Sequence, residues 1–142
     1  MTSDTCIFCK ILRGEIPAEV VYEDENCSVF LDSGPLFAGH CLVCPKQHLE
    51  TLLDLPPERL QALFEVVQQI GRAVELGLGA EGSFIAINNK ISQSVPHLHV
   101  HVIPRRRKDG LKGFFWPRRT YQQNEMRETG NALRRALAEL KA

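Results

Sequence analysis

The chain has 142 residues, 44% apolar and 24% charged, and its formal net charge is zero. These values fit one globular domain that can bury a core without disulfides, and they provide no bulk charge to attract nucleic acid or a membrane. No apolar run reaches membrane-spanning length, and the segment from Met1 to Thr5 lacks the basic and apolar regions of a secretory leader, so a cytoplasmic protein is expected.

In chain order, Ile7 to Arg13 is predicted as a short helix closed by Gly14. Glu19 to Tyr22 and Asn26 to Leu31 read as strands separated by the acidic turn Glu23-Asp24-Glu25, and His40 to Cys44 as a third strand ended by Pro45. A long helix is expected to start near Asp54 as N-cap, with Pro56 and Pro57 in its first turn. Leu60, Leu63, Phe64, Val67, Ile70 and Val74 follow its period, and it stops around Gly77 and Gly79. Phe84 to Asn88 and Val95 to Ile103 are the fourth and fifth strands. Asn124 can cap a last helix with Met126, Leu133, Leu137 and Leu140 on one face. Short turns join most strands, and one long helix lies between them, which favours an antiparallel α+β sheet over an alternating parallel one.

The fifth strand carries the most informative pattern. Alternation puts His97, His99 and His101 on one face and Leu98, Val100 and Val102 on the other, towards a core. Lysine, threonine or glutamate would serve a solvated stripe equally well, so three imidazoles point to chemistry. Two chemistries fit. Clustered imidazoles bind a catalytic metal, as three-histidine zinc sites do. Alternatively, one imidazole attacks phosphorus, since its ordinary pKa near 6.5 leaves it mostly neutral at pH 7. Spacing does not choose between them.

The five cysteines do not read as a secreted disulfide framework. Cys6-x-x-Cys9 has the spacing of half a zinc site; two buried free thiols or, less well supported without a preceding strand, a redox pair would also account for it. Cys41 and Cys44 are three apart on a strand, hence on opposite faces, and cannot act together; Cys27 has no evident partner.

His97-Leu98-His99-Val100-His101-Val102-Ile103, preceded by Gln93-Ser94-Val95, resembles the signature of the histidine-triad (HIT) nucleotide-binding proteins. Ile16-Pro17, Val29-Phe30-Leu31-Asp32 and the segment Gly39 to Lys46 support the likeness in the family's order. The resemblance implies one HIT domain over residues 1–142: an α+β fold with a five-stranded antiparallel sheet, extended across a homodimer. It implies a hydrolase or transferase acting at the α-phosphorus of nucleotide conjugates, either dinucleoside polyphosphates or nucleoside phosphoramidates, through a covalent nucleotidyl-histidine.

By the same resemblance, His99 is the nucleophile, and His101, His40 and Ser94 surround the phosphate with Gln93. Asp32 matches the residue that holds the ribose hydroxyls, and Phe8, Ile11, Phe30 and Leu31 match the base pocket, where plain core packing would place them equally well. Asn88 matches an amide donor to the phosphates, with Asn89 its rival, because Asn88-Asn89-Lys90-Ile91-Ser92 lacks the glycines that family members often carry there. Zinc is implied on Cys6, Cys9, His48 and His97; four protein ligands would make it structural.

Residues 105 to 119 hold Arg105, Arg106, Arg107, Lys108, Lys112, Arg118 and Arg119 with Phe114, Phe115 and Trp116 among them. A solvated loop accounts for most of these charges; a cationic rim that attracts a polyphosphate chain is the functional alternative. Nucleic acid is not expected as a partner, because no second basic stripe accompanies this one. Two other functions stay open at this point: a nucleotide-binding regulatory module with little turnover, and a zinc metallohydrolase with the triad as ligands.

Overall fold

The computed structural model describes residues 3–112 and 116–141. The chain divides into two compact units, Met1–Asp109 and Gly110–Ala142.

The first unit opens with helix α1, Ile7–Leu12, whose end is marked by Gly14 at φ +77°. Strands β1 (Val20–Glu23), β2 (Cys27–Leu31) and β3 (Cys41–Pro45) follow as an antiparallel meander. Helix α2, Leu60–Leu78, then crosses to β4 (Gly82–Ala86) and β5 (Val100–Arg105). The sheet is antiparallel throughout, in the order β1-β2-β3-β5-β4. This is the expected five-stranded α+β architecture.

Strand alternation divides the interior in two. Val29, Cys41, Val43, Val100 and Val102 point to one face, where Leu63, Val66, Val67, Ile70 and Val74 of α2 cover them. Their neighbours Phe30, Leu42 and Cys44 point to the other face and pack on Cys6, Phe8 and Cys9 around α1. Cys41 and Cys44 thus lie on opposite sides of the sheet, as their spacing requires. The α2 face supplies the larger core, and the α1 face remains open enough to hold a site.

The start of α2 and the end of β4 differ from expectation. Asp54 does not cap α2. Its carboxylate closes a capping box with Thr51 on a short 3-10 turn, Leu52–Asp54. A second turn, Pro57–Arg59, follows, and α2 begins only at Leu60. The prolines are tolerated there because the first helical turn lacks acceptors for its N–H groups anyway. The helix ends at Gly79 in the left-handed conformation (φ +68°), whose N–H returns to Glu75 O. Strand β4 ends at Ala86 rather than Asn88.

The fifth strand is the largest correction. It starts at Val100, not Val95, so His97 and His99 precede the ladder. Pro96 has no N–H to donate, and the His97 N–H turns back to Val95 O at 2.8 Å. The Pro45 carbonyl, which could have extended the pairing with β3, accepts from the His97 imidazole instead. Alternation persists through this irregular stretch, since Leu98 joins Val100 and Val102 in the α2-side core.

In the second unit, helix α3 spans Glu125–Lys141, and Asn124 before it takes φ +65°. Met126, Leu133, Leu137 and Leu140 of α3 are exposed.

Candidate functional site

The α1 side of the sheet gathers all five histidines into two adjoining clusters. The first is built around Cys6 and Cys9. Cys6 is the N-cap of α1, and its sulfur accepts from the Cys9 N–H at 3.4 Å, so the helical start itself turns both thiols to one side. His48 comes from the loop after β3, and His97 from the turn before β5. The two loops are tied together by the Leu98 N–H donating to Leu49 O at 2.6 Å.

The His97 Nε2–H donates to Pro45 O at 2.8 Å, which leaves Nδ1 as a lone pair. That lone pair faces Cys6 Sγ and Cys9 Sγ, each at 3.5 Å, and His48 Nδ1 at 3.3 Å. Cys9 Sγ and His48 Nδ1 are also 3.3 Å apart. A tetrahedron with bonds of about 2.1–2.3 Å has edges of about 3.4–3.8 Å, so the four donors are spaced to share one ion. Burial, with Cys6 as neighbour, pushes the Cys9 thiol up to about 11; a cation would offset both effects.

The second cluster faces a cleft of about 520 Å³. His99 is only 5% exposed yet lines this cleft. Its Nδ1–H donates to His97 O at 2.7 Å; a carbonyl can only accept, so the neutral ring keeps its lone pair on Nε2. Phe8 packs edge-on against the His99 ring, with centroids 4.9 Å apart, and against Phe30 at 5.3 Å. Burial lowers the His99 pKa and favours the neutral imidazole that a nucleophile requires.

His101 follows on β5, opposite Leu42 of β3. Its Nδ1 lies 2.9 Å from Nε2 of His40, a buried residue immediately before β3. Burial, then the neighbouring His99 and His40, pushes His101 down to about 4. Asp32 lies just past β2, held by its own N–H donating to His40 O at 2.9 Å. One carboxylate oxygen accepts from the Gly34 N–H at 2.8 Å, and the other lies 3.7 Å from His40 Nε2.

The cleft brings most of the predicted residues together. Asp32, His99, His101 and Ser94 line it, as do all four residues assigned to an apolar pocket: Phe8, Ile11, Phe30 and Leu31. His40 stands behind His101 rather than on the wall. Ile7, Leu42 and Val95 also line the cleft but had not been singled out. For Leu42 a signal existed, since alternation with Val43 already placed it on the histidine face. Ile16 and Pro17 close the cleft from the segment before β1.

The Gln93 side chain accepts from the Lys90 N–H at 2.8 Å and donates to Glu50 O at 2.6 Å, so it buckles the loop before the triad. The Asn89 carbonyl oxygen accepts from the Leu52 N–H at 3.1 Å. Lys90 and Ser92 adopt φ of +71° and +61°, taking without glycine a conformation that glycine adopts at least cost.

The basic segment is partly internally paired. Asp109 binds Arg105 through Nε at 2.6 Å and Nη2 at 3.0 Å, Glu81 pairs with Arg107, and Arg106 donates to Leu78 O. Phe114 and Phe115 lie outside the described residues. Among the described residues, the triad imidazoles do not converge as one ligand set, because His97 turns to the thiols while His99 and His101 bond elsewhere.

The HIT domain family model matches residues 13–108. Over 108 residues the chain is 40% identical to "Adenylylsulfatase HINT3" of Arabidopsis thaliana, a match covering 75% of this chain and 55% of that relative. It is 35% identical over 137 residues to "Adenosine 5'-monophosphoramidase HNT1" of Saccharomyces cerevisiae, covering 95% of this chain and 82% of that one. Among solved structures, a zinc-bound histidine triad family protein from Mycobacterium smegmatis superposes with a TM-score of 0.74 at 43% identity, covering 99% of this chain and 98% of the other.

Proposed function

The chain belongs to the HIT family, and on that premise we propose that it cleaves nucleotide conjugates at the α-phosphorus through a covalent nucleotidyl-histidine on His99. The observation that carries this reading is the His99 hydrogen bond to His97 O, which directs the ring's lone pair away from the backbone while the residue lines the cleft. In the first step, His99 Nε2 forms a bond to phosphorus as the bond to the leaving group breaks. The imidazolium so formed keeps its Nδ1–H on the carbonyl, which stabilises the positive charge. Water or another acceptor then attacks phosphorus and restores the neutral ring. A partly dry cleft strengthens each of these electrostatic contacts.

Phe8, Ile11, Phe30 and Leu31 receive the base, and the free oxygen of Asp32 accepts from ribose hydroxyls. Ser94 and Asn88 serve the phosphates, with Asn89, whose carbonyl oxygen accepts from the Leu52 N–H, as the rival donor. Gln93 shapes the loop that carries them. The two relatives named above both carry names for adenosine phosphate conjugates, with sulfate and an amine as leaving groups. The pairing of Arg105 and Arg107 within the unit reduces the case for a polyphosphate rim, so phosphoramidates stand beside dinucleoside polyphosphates as candidate substrates.

Cys6, Cys9, His48 and His97 would hold zinc with all four positions filled by protein, a structural ion that orders α1 and the triad loop. A homodimer is proposed through β4, the sheet edge next to β5.

Rapid quenching with a panel of adenosine and guanosine phosphoramidates and dinucleoside tri- and tetraphosphates tests the mechanism. Wild type should gain the mass of a nucleotidyl group, and His99→Ala should gain none and lose turnover while staying folded. An adduct retained by His99→Ala, or full activity in it, refutes the assignment.

A further inference from the structure

Asp32, His40 and His101 place a carboxylate oxygen and two imidazole nitrogens close together, a set that could be mistaken for a second metal site. The hydrogen bonds around His40 argue otherwise. The backbone N–H of Leu36 donates to His40 Nδ1 at 3.2 Å. A backbone amide can only donate, so His40 Nδ1 is the acceptor and the neutral ring carries its hydrogen on Nε2. A metal on His40 Nε2 would displace that hydrogen to Nδ1 and set it against the Leu36 N–H.

The same constraint is passed from His40 to His101. His40 Nε2–H is 2.9 Å from His101 Nδ1, which must therefore accept. His101 then carries its hydrogen on Nε2. Asp32, at 3.7 Å from His40 Nε2, is too far to compete for the His40 hydrogen. The direction of the chain is set at its far end by a group that cannot reverse, the amide of Leu36.

We propose that His40 is a positioning residue that locks His101 in the Nε2–H tautomer, so that His101 offers the cleft a neutral hydrogen-bond donor and not a base. This rests on the assignment of the cleft as the site of phosphorus chemistry. The donor acts on charge developing at a phosphoryl oxygen, with no proton transferred to it. Removing one such donor from a preorganised site costs about 10²–10³-fold in kcat.

The test combines tautomer and rate in the metal-loaded protein. With ¹⁵N-labelled histidine at pH 8 and no nucleotide present, long-range ¹H–¹⁵N correlation should show His101 protonated on Nε2 and His40 protonated on Nε2. His40→Glu replaces the donor to His101 with an acceptor; His101 should switch to the Nδ1–H form, and kcat should fall about 100-fold with KM changing much less. His40→Gln has both an acceptor and a donor, and should keep the Nε2–H tautomer and more activity than His40→Leu. Leu36→Pro removes the directing amide without touching a site side chain, and should loosen the tautomer preference of His40 and lower kcat several-fold. Wild-type His101 protonated on Nδ1, or His40→Glu with an inverted tautomer and undiminished kcat, would overturn the proposal. If no conjugate in the panel is turned over, the phosphorus chemistry fails, while the tautomer spectrum still decides what His40 does to His101.

Discussion

Removing the zinc proposed for Cys6, Cys9, His48 and His97 should unfold α1 selectively. The helix has only six residues, and isolated helices of that length are unstable in water. Fixing their backbone costs about 6–12 kcal/mol. Against this, burying Phe8 contributes about 2–3 kcal/mol and the Cys6 and Cys9 side chains about 1 each. Four backbone hydrogen bonds into or just after the helix, from Lys10, Arg13, Gly14 and Glu15, add about 1 kcal/mol apiece. Cost and gain nearly cancel, so an ion on the four proposed ligands, with apparent binding of about 10–16 kcal/mol, would decide whether the helix stays docked. The α2-side core contains no residue of α1, so the sheet and α2 should survive. Hydrogen exchange reads this directly. After chelation the amides of Lys10 and Arg13 should lose protection while those of β3 and α2 keep theirs. Nucleotide affinity should fall in parallel, because Ile7, Phe8 and Ile11 line the cleft. Unchanged protection of α1 in metal-free protein, or simultaneous loss across the sheet, would refute the reasoning.

Gly39 sits at φ +96°, and an added Cβ would collide with the Leu78 side chain and lie 3.2 Å from Pro104 Cγ; Gly39→Ala should therefore cost about 2–4 kcal/mol in urea unfolding, and a loss under 0.5 kcal/mol would contradict this. Asp32→Asn should raise KM about 10- to 100-fold, since a charged hydrogen bond is worth about 1.5–3 kcal/mol, and should erase any preference for ribose over 2′,3′-dideoxyribose conjugates. An unchanged preference would remove Asp32 from the ribose. Burial holds His101 at about 4, against about 6.5 unfolded, and depresses His40 and His99 in the same direction. The unfolded chain thus takes up these protons first, so stability is fully present above about pH 6.5 and is lost as pH falls towards 4. Urea midpoints against pH should fall less steeply in His101→Gln than in wild type; equal slopes would exclude His101 from the acid response.

Several features could be read from residue order because short-range geometry determines them. Alternation placed Leu98, Val100 and Val102 in one core and separated Cys41 from Cys44, and both assignments hold although the ladder is shorter than expected. Gly79 marks the end of α2 because a left-handed cap needs the steric freedom that a residue without Cβ supplies. The reading failed where a side chain took a backbone's partner. Asp54 looked like an N-cap but serves Thr51, and the Pro45 carbonyl bonds an imidazole instead of prolonging β5. The Gln93 amide holds the loop from both ends, a role that residue order does not reveal.

The sequence alone was enough for the strands, the two-faced histidine segment and the cysteine pair, since periodicity and residue chemistry are local properties of the chain, while His48 and His97 as ligands came from the resemblance to the HIT family. The tertiary structure decided how those histidines divide. Contacts made across 91 residues from Cys6, across 61 from His40 and through the carbonyls of Pro45 and His97 assign each imidazole its tautomer. No spacing rule encodes them, because a histidine's two nitrogens are told apart only by what each one meets.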